Sequence, residues 1–262
     1  MALVAFDLDD TLYPESAFVR SGFRVVSDYL ERRGIVRRPL EPDFQAAFEA
    51  GVRGRIFDRV LEAAGVPPTP DLIRTLVDVY RSHRLPAPPA PSAVEGSAAE
   101  GPAQDGRGPD GLVRPAIRLF DDADRALAHL RREGLRLGLI SDGPLEAQRL
   151  KVETLGLPDR LDAIVLTDQW GKDCWKPHPR AFQELARRLA VDPASCLYVA
   201  DNPQKDFDGP AAAGWSPSVW IRRPDGLYRD APRADARLVA ATISGLDDLG
   251  EAIAGLSRGR RI

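Results

Sequence analysis

The sequence predicts an α/β fold, a parallel sheet with helices on both faces, with an α-helical unit inserted after the first strand. Three observations carry this expectation. Residues 2–6 (ALVAF) form a short continuous apolar run, as expected of a strand buried on both faces. From residue 121 onward, apolar runs of four or five residues alternate with segments of helical periodicity. Between these two regions lie several helical patterns and no second strand, which breaks a simple βαβ rhythm.

The elements follow in order. Phe18, Val19, Phe23, Val26, Tyr29 and Leu30 fall on one face of a helix over about 16–33. Helical patterns continue over about 43–50, 53–64 and 69–83. Residues 86–111 are Pro, Ala, Gly and Ser with almost no large apolar group, too little to offset the entropy of ordering, so a disordered loop is expected. Then come a helix at 121–133, a strand at 136–140 and a helix at 144–155 opened by Pro144. Strands are expected at 163–166, 196–200 and 218–221, and helices at 179–190, 204–213 and 246–256.

Bulk properties narrow the function classes. The 262 residues are 44% hydrophobic and 29% charged, ordinary values for a globular chain with a sizeable core. A net charge of −3 carries no signature of a nucleic-acid or membrane binder. No segment reaches the roughly 20 apolar residues of a membrane span, and the N-terminal apolar run is too short for a signal peptide. Two cysteines without CxxC spacing suggest neither a metal site nor a disulfide framework, so a reduced, cytoplasmic setting is expected.

In such sheets, ligands bind beyond the carboxyl ends of the strands. Four polar clusters fall there: Asp7-Leu8-Asp9-Asp10-Thr11, Ser141-Asp142-Gly143, Lys172 to Pro177 around Lys176, and Asp201-Asn202-Pro203-Gln204-Lys205-Asp206. Any one acid could be a turn former or helix cap. Together, like charges at one rim destabilise a fold unless a cation offsets them, and oxygen-only ligands favour a hard ion such as Mg²⁺. The set also suits covalent phosphoryl transfer. A carboxylate attacks phosphorus, an acid two residues on protonates the leaving oxygen and then activates water, and a hydroxyl and a lysine hold the phosphoryl oxygens.

On these residues the sequence resembles the haloacid dehalogenase (HAD) superfamily. Its four short motifs occur in order: DLDDT with Asp7 and Asp9, Ser141 ending LGLIS, Lys176 in WKPHPRAF, and Asp201 with Asp206 in YVADNPQKDFDG. The one departure noted is Ala200, where the family often has glycine. The resemblance implies a Rossmann-like parallel sheet core in residues 1–14 and 115–262 and a type-one α-helical cap in 15–85; it does not extend to the insert, and the disordered insert or linker expected from composition occupies 86–114 between them. It further implies a Mg²⁺-dependent phosphatase working through a phospho-aspartate on Asp7, with Asp9 as general acid and base. Asp7, the backbone carbonyl of Asp9 and Asp201 would hold Mg²⁺, and Asp206 would act through water or by orienting Lys176. Ser141 and Lys176 would bind phosphate, and Thr11 would support the first loop.

The candidate substrate-binding set adds Asp142 and Gly143 beside Ser141 and, from the cap, Arg53, Arg55 and His83; Arg20 and Arg81 are further cap candidates. Asp10, Asp142 and Asp208 also read as turn or cap acids. His129 and His178 are expected to be structural, Cys174 inert, and Trp170, Trp175, Trp215 and Trp220 to serve packing. The expected partner is a small phosphorylated metabolite. A dehalogenase of the family lacks the second acid, so Asp9 argues against that chemistry. A phosphomutase or phosphotransferase of the same fold keeps both acids and remains an alternative, as does a non-catalytic metabolite-binding protein. Neither substrate nor oligomeric state is legible.

Overall fold

The computed structural model describes residues 1–52, 54–83, 117–232 and 234–259. It divides into two compact units, Met1–Pro14 with Arg118–Ile262, and Glu15–Ile117. The expected insert at 86–114 and the candidate Arg53 lie outside the described residues.

The first unit is built on a six-stranded, all-parallel sheet in the order β3-β2-β1-β4-β5-β6. Its strands are β1 (Leu3–Phe6), β2 (Arg136–Ser141), β3 (Ala163–Leu166), β4 (Cys196–Ala200), β5 (Ser218–Ile221) and β6 (Val239–Ile243). β1, β4 and β5 are buried at every residue, which is why β1 and β4 read as unbroken apolar runs and β5 as one from Val219 onward. Among them, Leu3, Ile140, Val165, Phe182, Leu185, Tyr198, Trp215 and Trp220 form one continuous core.

The second unit carries α1 (Glu15–Arg32), α2 (Glu41–Glu49), α3 (Ile56–Ala63) and α4 (Pro70–Ser82). They enclose a separate core centred on Phe23, Phe44, Phe57, Leu61 and Leu76. Phe44 lies 5.5 Å by ring centroids from both Phe23 and Phe57, so aromatic packing fixes α1, α2 and α3 against one another. Thr69 caps α4 by accepting from Leu72 N at 3.4 Å.

The remaining helices belong to the sheet unit: α5 (Asp121–Arg132), α6 (Leu145–Thr154), α7 (Arg180–Leu189), α8 (Asp208–Ala212) and α9 (Leu249–Gly259). Three sequence expectations are corrected here. α8 begins at Asp208 rather than Gln204, because Asn202 and Asp206 close their own turn. Asn202 N donates to Asp206 Oδ2 at 3.1 Å and Gln204 N to Asn202 Oδ1 at 2.9 Å, bonds that compete with helix. α9 begins at Leu249, after a 3₁₀ turn at Leu246–Asp248. β6 was not expected at all; its Ala-rich, partly exposed run VAATI lacks the apolar continuity of the central strands. Gly209, in the first turn of α8, admits close packing: a Cβ there would stand 2.8 Å from Pro177 O and 2.6 Å from Phe182. Among the described residues, no helix is long and apolar enough to cross a membrane.

Candidate active site

The chain passes from β1 outward through β2 to β3, then returns to place β4 on the other side of β1. Loops leaving β1 and β4 therefore diverge and open a crevice at their carboxyl ends. Asp7 follows β1 and Asp201 follows β4, and Asp7 N donates to Val199 O at 2.9 Å, which ties the two strand ends together. Carboxylate oxygens of Asp7, Asp201 and Asp206 all lie within 4.8 Å of one another.

Lys176 enters this cluster from the loop before α7. Its ammonium pairs with Asp7, with Asp206 Oδ1 at 2.8 Å and with Tyr198 OH at 2.9 Å. Burial alone would lower the lysine, but Asp206 and Asp7 outweigh it and hold Lys176 well above the ordinary value. Burial pushes the Asp7 carboxyl up to about 6; Lys176 opposes the rise and Asp206 adds to it. Burial, then repulsion from Asp7 and Asp206, raises Asp201 well above the usual carboxylate range. A positive charge placed beside two such acids would favour their ionised forms.

Asp9 is held differently. Lys151 Nζ donates to its Oδ1 at 2.7 Å, Tyr13 OH donates to the same oxygen, and Gln148 Nε2 donates to Oδ2 at 3.2 Å. Burial works against ionisation here too, but Lys151 and these hydrogen bonds prevail and lower the Asp9 pKa. The loop that presents it is tight. Asp10 adopts φ 54° and its N–H donates to Tyr13 O at 2.9 Å, so its reading as a turn acid stands. Arg223 supports the same loop, donating to Thr11 O at 2.8 Å while pairing with Asp122 at 3.0 Å. Thr11 Oγ1 is buried and, among the described residues, has no partner.

Ser141, the last residue of β2, is buried at the same rim. Asp142 is not a helix cap. Its Oδ1 accepts from Thr167 Oγ1 at 2.8 Å and from Lys176 N at 3.1 Å, and its Oδ2 from Lys205 Nζ at 3.1 Å. It therefore anchors the Lys176 loop and Lys205, while Asp168 Oδ2 accepts from Leu145 N at the start of α6. In the helical unit, Arg55 is exposed and pairs with Asp58 at 3.2 Å. His83 is buried, with its ring 4.6 Å from that of Phe18 and Nδ1 2.5 Å from Tyr80 O.

Sequence reasoning thus reached Asp7, Asp9, Ser141, Lys176, Asp201 and Asp206, which stand at one end of the sheet. It missed Tyr13, Gln148, Lys151, Thr167, Tyr198 and Arg223, and it placed Lys205 at the rim without giving it a role. A signal existed for two of these: Gln148 and Lys151 share the inward face of α6 with Ala147 and Val152.

A family model described as haloacid dehalogenase-like hydrolase matches residues 1–214. The glyceraldehyde 3-phosphate phosphatase of Methanopyrus kandleri is 28% identical over 239 residues, 88% of each chain. The phosphoserine phosphatase of Thermus thermophilus is 35% identical over 120 residues, 46% of each chain. Among solved structures, a HAD phosphatase from Thermococcus onnurineus superposes with a TM-score of 0.57 at 22% identity, covering 97% of this chain and 99% of that one. With its four motifs at the carboxyl ends of a parallel sheet and a family match over most of its length, this chain belongs to the haloacid dehalogenase-like hydrolase family.

Proposed function

We propose that this chain is a Mg²⁺-dependent phosphatase that hydrolyses a small phosphomonoester through a phospho-aspartate on Asp7. The carrying observation is the buried cluster in which Asp7 lies beside Asp201 and Asp206 while Lys176 spans Asp7 and Asp206. The similarity to a glyceraldehyde 3-phosphate phosphatase over 88% of the chain supports a small phosphorylated metabolite as substrate.

The donor set fits a hard divalent cation: the oxygens of the cluster are all carboxylate, and Asp7 and Asp201 are pushed towards their neutral forms by burial and by neighbouring carboxylates, Asp206 acting on both. Bound by Asp7, the backbone carbonyl of Asp9, Asp201 and, through water, Asp206, Mg²⁺ would neutralise charge between the Asp7 carboxylate and an incoming phosphate.

The protein groups then divide the work. An Asp7 oxygen attacks phosphorus as the bond from phosphorus to the ester oxygen breaks. Asp9 delivers a proton to the departing oxygen, releasing an alcohol. Lys151 holds Asp9 ionised at rest, so the ester brings that proton as its monoanion. Water attacks the phospho-aspartate, Asp9 takes the water's proton and passes it to solvent, and phosphate leaves with Asp7 and Asp9 both returned to their resting carboxylates. Lys176 and Ser141 hold phosphoryl oxygens as charge redistributes.

The test is phosphate release from sugar phosphates, nucleotides, phosphoserine and an aryl phosphate, with and without Mg²⁺. Metal-dependent release that disappears in Asp7→Asn supports the reading. Release that persists in Asp7→Asn overturns it.

A further inference from the structure

α6 presents two polar side chains to its buried face, Gln148 and Lys151, three residues apart and so adjacent on the helix. Gln148 is 4% exposed and Lys151 5%, levels at which neither residue type is expected without a dedicated partner. Both reach the same group: Lys151 Nζ meets Asp9 Oδ1 at 2.7 Å, and Gln148 Nε2 meets Asp9 Oδ2 at 3.2 Å.

Chemistry fixes the orientation of the Gln148 amide. Its nitrogen also donates to the backbone carbonyl of Asp142, so it faces two acceptors at once, and a flipped amide would set oxygen against oxygen. One side chain therefore links the acid of the first loop to the turn that follows β2. The amide oxygen on the other side is buried with no partner among the described residues. Leaving a buried acceptor unpaired is costly, so packing alone would favour an apolar residue of the same shape here. Gly143 is part of the same device, because any Cβ at that position would overlap Gln148 Nε2.

We propose that Gln148 and Lys151 are positioning residues for Asp9: gripping both carboxylate oxygens from one helix, they fix the side-chain rotamer from which Asp9 reaches the leaving oxygen. The proposal rests on the phosphatase reading above. It concerns geometry, and it has a signature that a purely structural role lacks. An alkoxide leaves only if protonated, whereas 4-nitrophenolate leaves readily without a proton. Formation of the phospho-aspartate, which kcat/KM reports, therefore needs a well-placed Asp9 for an alkyl ester far more than for an aryl ester. Hydrolysis of the phospho-aspartate is common to both esters and needs Asp9 as a base for each.

The experiment compares wild type, Asp9→Asn, Gln148→Met and Lys151→Met on 4-nitrophenyl phosphate and on the best alkyl phosphate of the panel, with Mg²⁺. Gln148→Met is nearly isosteric and removes no charge, so it tests the idea even if Lys151→Met folds poorly. Misplacing a reacting group can cost about 100-fold, so kcat/KM for the alkyl ester is expected to fall in both variants at least about 10-fold more than for the aryl ester. Lys151→Arg is expected to recover part of that loss. Equal losses on the two esters, no loss, or a gain would overturn the assignment. If Asp9→Asn shows the ester split while Gln148→Met and Lys151→Met do not, this inference fails and the phosphatase reading survives. If wild type releases no phosphate from any ester, both fall.

Discussion

Lys176 Nζ and Asp206 Oδ1 stand 2.8 Å apart, and neither side chain has any exposed surface. A buried charge that loses its partner keeps its desolvation cost without the compensating attraction. Asp206 also accepts from Asn202 N at 3.1 Å, so its removal orphans a backbone donor as well. Asp206→Ala is therefore expected to destabilise the fold by about 3–5 kcal/mol. Asp206→Asn, which can keep one of the two bonds, should cost less. Urea unfolding at neutral pH checks both, and an Asp206→Ala midpoint equal to wild type would refute the prediction.

Asp7→Asn should abolish turnover while leaving the unfolding midpoint no lower than that of wild type, because an amide fits where a carboxyl already resists ionisation. Asp9→Asn should slow turnover by about 100-fold or more, the usual scale of general acid–base catalysis. Asp9→Asn should also accumulate phosphate on Asp7. Mass spectrometry of acid-quenched protein distinguishes the two variants: a mass increase of one phosphoryl group in Asp9→Asn and none in Asp7→Asn.

The sequence exposed those features that local pattern controls. β1 and β4 are buried on both faces, so burial appears directly as an unbroken apolar run, and β5 differs only in its first residue, Ser218. The motif acids could be placed because each follows such a run. β6 escaped because Ala241 and Thr242 are not fully buried and Ala favours no strand. Lys151 and Gln148 escaped for the opposite reason: they occupy core positions of α6, where a polar residue reads as a break in amphipathicity. Their purpose lies in Asp9, 142 and 139 residues away in the chain. Tyr198 was hidden inside the run CLYVA, where its ring serves the strand and its hydroxyl serves Lys176. Contacts of that range depend on strand order, and the order β2-β1-β4 is set by the whole sheet rather than by any segment.

Gly143→Ala tests the turn after β2 without touching a charged group. The residue sits at φ 129°, in a region that side-chain-bearing residues avoid, and the added methyl would collide with Gln148. Backbone strain of this kind costs about 1–3 kcal/mol. Displacing Gln148 should also release Asp9 Oδ2. The expected result is a lower urea midpoint together with the same alkyl-over-aryl loss predicted for Gln148→Met. Reduced stability with an unchanged ester ratio would show that the methyl is absorbed without moving Gln148.

The raised pKa of Asp7 makes stability depend on pH in a direction that can be measured. In the fold Asp7 keeps its proton up to about pH 6, against an ordinary value of 3.8. Between those values the native state binds more protons than the unfolded chain, so this group's contribution falls as pH rises and is lost above about pH 6. A shift of this size corresponds to about 3 kcal/mol. Asparagine at position 7 cannot ionise and escapes the loss. Without divalent ions, Asp7→Asn and wild type should be nearly equal in stability at pH 4, and the variant should be more stable by about 2–3 kcal/mol at pH 7. Mg²⁺ at one fixed, high concentration and pH 7 should then raise the unfolding midpoint of wild type more than that of the variant, because an ion that binds only the native state stabilises it by an amount that grows with the logarithm of its affinity, and the ionised carboxylate supplies much of that affinity. A stability difference independent of pH would mean that Asp7 is ionised throughout, with Lys176 alone compensating its burial.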